Sequence, residues 1–142
     1  MVSLPQAYVF YDVSTQNVTR RFQRQFSAHP GWIAFSPDGK LMALEVSPGV
    51  IRLCEVASGR SIAHLQDPRG SVSRWMGFTP DGTQLIVAAG YERAIHRWDL
   101  RAMRIELKDM DLDWVWPEFP PRSAESQHLP PLEVEVIPAE IR

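Results

Sequence analysis

Four histidines and one cysteine are the side chains most often recruited to metals or to nucleophilic catalysis, and their spacing supports neither use. His29, His64, His96 and His128 are dispersed, with no His-x-x-x-His pair and no carboxylate at ligand spacing, so a metal site would have to be assembled by the fold alone. We read them as surface or capping histidines and expect no metal and no cofactor. Cys54, the single thiol, excludes an intramolecular disulfide framework and a multi-cysteine zinc site. It sits where an internal repeat, described below, places a packed aromatic in its other copies, which favours a buried inert thiol over a nucleophile. No Gly-x-Ser-x-Gly element or phosphate loop occurs, and Asp38 and Asp81 sit in Pro-Asp-Gly turns, so they are turn formers before they are general bases. Catalysis is not expected.

Two patterns suit binding instead. Arg20-Arg21-Phe22-Gln23-Arg24-Gln25-Phe26 interleaves basic and aromatic residues, and on a strand Arg20, Phe22, Arg24 and Phe26 share one face that could track phosphates and stack bases. The competing reading is an outer strand whose arginines cover apolar surface, and we favour it, expecting no nucleic acid partner. Trp114, Trp116 and Phe119 could form a peptide-binding patch; we favour a staple that docks the tail onto the preceding element by burying aromatic area.

The elements that must position these residues follow from an internal repeat. Phe35-Ser36-Pro37-Asp38-Gly39 recurs as Phe78-Thr79-Pro80-Asp81-Gly82 at an offset of 43 residues, with a hydroxyl kept at the second position. Ile51 to Val56 recurs as Ile95 to Leu100 at an offset of 44, and Tyr8 to Val13 is an earlier copy 43 residues before Ile51 to Val56. Proline presets φ, aspartate bonds its own backbone and glycine takes a positive φ, which is hairpin chemistry. The runs before and after each turn, Gly31 to Phe35 with Leu41 to Val46 and Arg74 to Phe78 with Gln84 to Ala89, read as paired strands. Ile51 to Val56 and Ile95 to Leu100 read as third strands, and Ser61 to Gln66 and Thr19 to Phe26 as fourth strands. Ile51 and Leu53 on one face and Cys54 and Val56 on the other suit a sheet packed on both sides.

Four short antiparallel strands per unit of about 43 residues make the blade of a β-propeller. Here the sequence resembles the WD40 repeat family, on the strength of Ser36-Pro37-Asp38-Gly39, Thr79-Pro80-Asp81-Gly82 and the third-strand endings Tyr11-Asp12, Cys54-Glu55 and Trp98-Asp99. Only Trp98-Asp99 is the literal signature. The Gly-His pair that helps tie family blades together is absent before both complete first strands, Pro48 and Glu92 occupy the turn position of a family Asp, and Cys54 replaces one Trp, so the blades are expected to be held mainly by packing.

The fold expected is all-β, an incomplete WD40-type propeller of about two and a quarter blades with a short C-terminal helix and extended tail. Residues 1–100 carry the third and fourth strands of one blade (7–27), a complete blade (28–67) and three strands of another (68–100). Residues 101–116 are read as helix and aromatic staple, 117–131 as a proline-rich linker and 132–142 as an edge strand. Residues 1–7 are expected to lead directly into a third strand. The tail, with Arg101 to Met110, Leu112-Asp113-Trp114, a proline cluster and Pro131 to Val136, resembles the segment after the propeller in large bacterial WD40 proteins, many of which carry a serine/threonine kinase domain. No kinase motif is present in this sequence.

A net charge of −2 gives no global pull toward nucleic acid or an anionic membrane, and no apolar run approaches the roughly 18 residues of a membrane span. The first ten residues lack the basic start of a signal peptide. A cytoplasmic, non-catalytic protein interaction scaffold is the function expected, with a signalling role as regulatory propeller fragment of a serine/threonine kinase, or a gene remnant without present function, as alternatives. Its partners would be other proteins, the missing blades, or further copies joined through open strand edges.

Overall fold

A computed structural model describes residues 1–25, 31–90 and 93–119. Among these residues the chain forms three antiparallel sheets followed by one helix. The first sheet contains β1 (Val2–Leu4), β2 (Ala7–Tyr11) and β3 (Val18–Gln23) in that spatial order. The middle sheet runs β4 (Ile33–Phe35), β5 (Leu41–Ser47), β6 (Val50–Glu55) and β7 (Ser61–Gln66). In the third, β8 (Ser73–Phe78), β9 (Gln84–Ala89) and β10 (Ile95–Asp99) pair in sequence order, and α1 (Leu100–Asp109) follows at once. The all-β architecture with one short C-terminal helix is the one the repeat predicts, and the sheets are consistent with partial propeller blades.

The two-sided apolar strands explain how the sheets stack. Ile51, Leu53 and Leu65 on one face of the middle sheet pack with Met76, Leu85 and Val87 of the third, joined by Trp98, Met103 and Phe119. The opposite face presents Met42, Leu44, Val46 and Cys54 to Tyr8, Phe10 and Phe22 of the first sheet. Successive strand residues point to opposite faces, so one alternating strand serves two cores. Each fully buried aliphatic side chain contributes about 1.5–3 kcal/mol, and together they replace the side-chain network that the sequence lacks.

One expectation is corrected. Residues 1–7 do not lead straight into a third strand: β1 pairs antiparallel with β2 through Val2↔Val9, Ser3↔Tyr8 and Leu4↔Ala7. It takes the sheet position held by β5 and β9 in the other two sheets. Three residues joined by a Pro5-Gln6 turn are too short to show a period, which is why the strand escapes sequence reading. The end of the fourth strand at Phe26, His29, Glu92, His128, the linker beyond Phe119 and the edge strand at 132–142 lie outside the described residues.

Candidate functional site

The strand connections divide between two ends of the stack. At one end lie the hairpin turns between first and second strands and the turns after each third strand. In the first hairpin turn Ser36 Oγ donates to Asp38 Oδ1 at 2.6 Å, Leu41 N donates to Ser36 Oγ at 2.9 Å, and Gly39 sits at φ 68°. The second repeats it: Thr79 Oγ1 donates to Asp81 Oδ1 at 2.6 Å, Gln84 N donates to Thr79 Oγ1 at 3.1 Å, and Gly82 has φ 69°. Pro37 and Pro80 stand at the outer corners, and a Cβ at Gly82 would lie 3.5 Å from Pro37 Cδ, so the two turns are neighbours.

These bonds act on the carboxylates. The Ser36 hydroxyl and the Lys40 N–H hold the Asp38 carboxyl below the usual range. Burial pushes Asp81 upward, but the Thr79 and Thr83 donors outweigh it and the net shift is down. Asp12, which accepts from the Ser14 hydroxyl and Thr15, falls from 3.8 to about 2. A depressed carboxylate contributes stability that is complete above its unfolded value and is lost as pH falls through its folded one. The urea midpoint is therefore expected to be flat above the ordinary aspartate value of 3.8 and to drop steeply below it. Asp38→Asn and Asp81→Asn together should flatten that drop, and an unchanged slope would contradict the assignment.

An acidic residue closes each third strand by accepting from the residue three places on, through its backbone N–H in the first and third copies and through its hydroxyl in the second. Asp12 Oδ1 accepts from Thr15 N at 2.8 Å, and Ser58 Oγ donates to Glu55 Oε2. Asp99 Oδ1 accepts from Ala102 N at 3.0 Å. In the first two copies Gln16 at φ 57° and Gly59 at φ 75° turn the chain back into a fourth strand. The third copy places Met103 at that step among good helix formers, so the same acid becomes the N-cap of α1. Trp98 turns inward and packs on the core between the middle and third sheets, while Asp99 also accepts from Gln84 Nε2 at 3.4 Å.

The helix then delivers Arg104, only 8% exposed, to the segment that follows. Its guanidinium donates to Asp113 Oδ1 and Oδ2 at 2.9 and 2.8 Å, to the Trp116 carbonyl at 2.9 Å and to the Pro117 carbonyl at 2.7 Å. It also lies 5.6 Å from the Trp114 ring and 5.7 Å from Phe119. Residues 111–119 thus form a strap across the turn end. The strap does more than dock onto the last sheet: Arg60 of the middle sheet donates to the Val115 carbonyl at 3.3 Å. Beside it a groove of about 660 Å³ is lined by Lys40, Glu55, Val56, Arg60, Val115 and Trp116.

At the opposite end a buried network, not signalled by any motif, ties all three sheets together. Glu45, 2% exposed, accepts from Ser73 N at 2.8 Å and from Trp32 N at 3.4 Å. The Tyr8 hydroxyl lies 2.7 Å from the Glu45 carbonyl and 3.0 Å from that of Trp32, and burial drives its pKa well above the ordinary tyrosine value. A lone glutamate inside the apolar run Leu41 to Val46 was the available signal. Trp32 and Phe35, 39% and 45% exposed, stand at opposite ends of β4, Trp32 beside this network and Phe35 beside the Ser36 turn.

The candidate chemistry is used structurally. Cys54 is fully buried, and burial pushes its thiol up. His96 Nδ1 lies 3.6 Å from Asp67 Oδ2. Among the described residues no group of three or more His, Cys, Asp or Glu comes together to hold a metal, and no helix is long and apolar enough to cross a membrane. The basic and aromatic strip is turned into the stack: Arg20 donates to the Val56 and Ala57 carbonyls at 2.5 and 2.7 Å, Phe22 is buried, and Arg24 lies 5.5 Å from the Tyr8 ring.

No family model matches the chain. Over 67 residues, 47% of its length, it is 33% identical to the WD repeat and SOCS box-containing protein 1 of Xenopus tropicalis. The chain covers 16% of that protein.

Proposed function

We propose that this chain, built of WD40-like β-propeller blades, is a non-catalytic scaffold that holds protein partners on a rigid surface. The observation that carries the reading is the repeat itself: two hairpin turns with the same hydrogen bonds and three acid-closed third strands, on sheets locked into shared cores. Such a stack presents loops and inner-strand side chains at fixed spacing, which is what recognition of a folded partner needs. Partial likeness to a WD repeat protein supports it. The exposed aromatics Trp32 and Phe35, on opposite faces of β4, are the side chains we assign to partner contact, since exposed aromatics are over-represented at binding hot spots.

The test uses the full chain as immobilised bait in native cell extract, against Trp32→Ala/Phe35→Ser and an unrelated bait. A defined set of proteins should bind the parent and be reduced about tenfold by the double substitution, a loss equivalent to ~1.4 kcal/mol. The same set on the unrelated bait would overturn the reading. Recovery of a serine/threonine kinase in that set would favour the cytoplasmic signalling role suggested by the tail.

A further inference from the structure

Each third strand of the first two sheets has a partner on both sides: β2 lies between β1 and β3, and β6 between β5 and β7. Among the described residues β10 pairs with β9 alone. Its backbone shows what the other side is built for. Ala89 N donates to the Ala94 carbonyl and Leu100 N to the Thr83 carbonyl, so in the alternating antiparallel ladder the even-numbered residues from 94 to 100 bond toward β9. Ile95 and Arg97 therefore turn their N–H and C=O groups to the side away from β9. Their counterparts Ile51 and Leu53 pair there with Leu65 and Ala63 of β7, and Tyr8 and Phe10 with Phe22 and Arg20 of β3. Ile95 is 75% exposed, whereas Ile51 is 3% and Tyr8 0% exposed.

The sequence beyond the strap contains a segment of the required form. Residues 132–137, Leu-Glu-Val-Glu-Val-Ile, are six in number, as in β3 and β7, and are bounded by Pro131 and Pro138, which cannot donate to a ladder. Their alternation matches that of the other fourth strands. Phe22 is buried between exposed Arg21 and Gln23, Leu65 is buried between exposed His64 and Gln66, and here Val134 and Val136 alternate with Glu133 and Glu135. Phe119, at the end of the strap, packs on the same core as Trp98, close to the end of β10 where an antiparallel fourth strand would start. The twelve residues 120–131 reach up to about 40 Å when extended, ample to bring the segment alongside.

We propose that residues 132–137 form the fourth strand of the third sheet, antiparallel to β10, with Arg97 opposite Val134 and Ile95 opposite Val136. Tethering favours this segment over a strand from another molecule, because an attached segment acts at an effective concentration of about millimolar. A strand edge left open is a template for pairing with other chains, so the tail also closes the sheet against them. The proposal goes beyond the scaffold reading and does not rest on it.

Hydrogen exchange on the full chain should find the Ile95 and Arg97 amides protected, and Val134→Pro should speed their exchange about a hundredfold by removing the donor at the centre of the ladder. Amides of β5 and β6 should keep their protection, since the cores they line are complete without the added strand. A second variant, His96→Cys/Glu135→Cys, should close a disulfide within one chain on mild oxidation. The two positions form a non-hydrogen-bonded pair with Cα atoms about 4.5 Å apart, within disulfide range, and the native Cys54 is buried. Free exchange at Ile95 and Arg97 in the parent would overturn the proposal. So would protection that survives Val134→Pro, protection that appears only as concentration rises, or a disulfide that fails to form or joins two chains. Each of these outcomes leaves the capture result of the scaffold reading to stand by itself.

Discussion

Leu85→Ala is expected to destabilise the chain by about 3–4 kcal/mol, read from the urea midpoint at constant slope. Leu85 is fully buried, faces Trp98 and Phe78 across its own sheet, and packs in the core shared with Leu53 and Ile51 of the middle sheet. Truncation removes three carbons' worth of contact and leaves a cavity that β-sheets pinned on both sides by hydrogen bonds can only partly collapse. Because total stability is commonly about 5–15 kcal/mol, this one change removes a large part of it. Val13→Ala provides the comparison. Val13 is 95% exposed, and its replacement should fall within about 0.5 kcal/mol of the parent. Equal effects at the two sites would contradict the assignment of a core between the sheets.

The second large effect belongs to Arg104. Arg104→Ala should cost about 2–3 kcal/mol, since it strands Asp113 and two carbonyls that the guanidinium satisfies and removes a planar group seated between aromatic rings. The loss should be local in its signature. Tryptophan emission should shift to the red as Trp114 and Trp116 gain water, and protease cleavage within 111–119 should accelerate, while the sheet signal in circular dichroism persists. Arg104→Lys should behave nearly as badly, because a point-charge ammonium cannot bridge a carboxylate and two carbonyls at once. If Arg104→Lys retained parental emission and protease resistance, the bidentate geometry would not be what holds the strap.

What the sequence made legible follows from short-range rules. The Pro-Asp-Gly turns, the alternating strands and the acid before each reversal act within a few residues, so their 43-residue recurrence could be read directly and led to stacked blades. The helix, expected at Arg101 to Met110 and found at Leu100–Asp109, was legible from its apolar spacing. Two features were not. The seating of the strap across two sheets depends on where the N-cap of Asp99 aims the helix, which is a tertiary matter. The Tyr8, Glu45 and Ser73 network joins residues from three blades, and only the unexplained glutamate in an apolar strand hinted at it. Arg20 of β3 shows the reverse case: in a pattern compatible with phosphate binding it is taken up by hydrogen bonds to the neighbouring sheet, because its face turns inward once β3 pairs with β2.

With continuous cores on both faces of the middle sheet, these sheets form one rigid platform rather than a string of independent hairpins. Native-state hydrogen exchange tests it most directly. Amides of β5, β6, β8 and β9 are expected to share a single high opening free energy, and Leu85→Ala to lower all of them by the same amount, because their cores are continuous. Separate opening energies for the middle and third sheets, with Leu85→Ala felt only in the third, would contradict it.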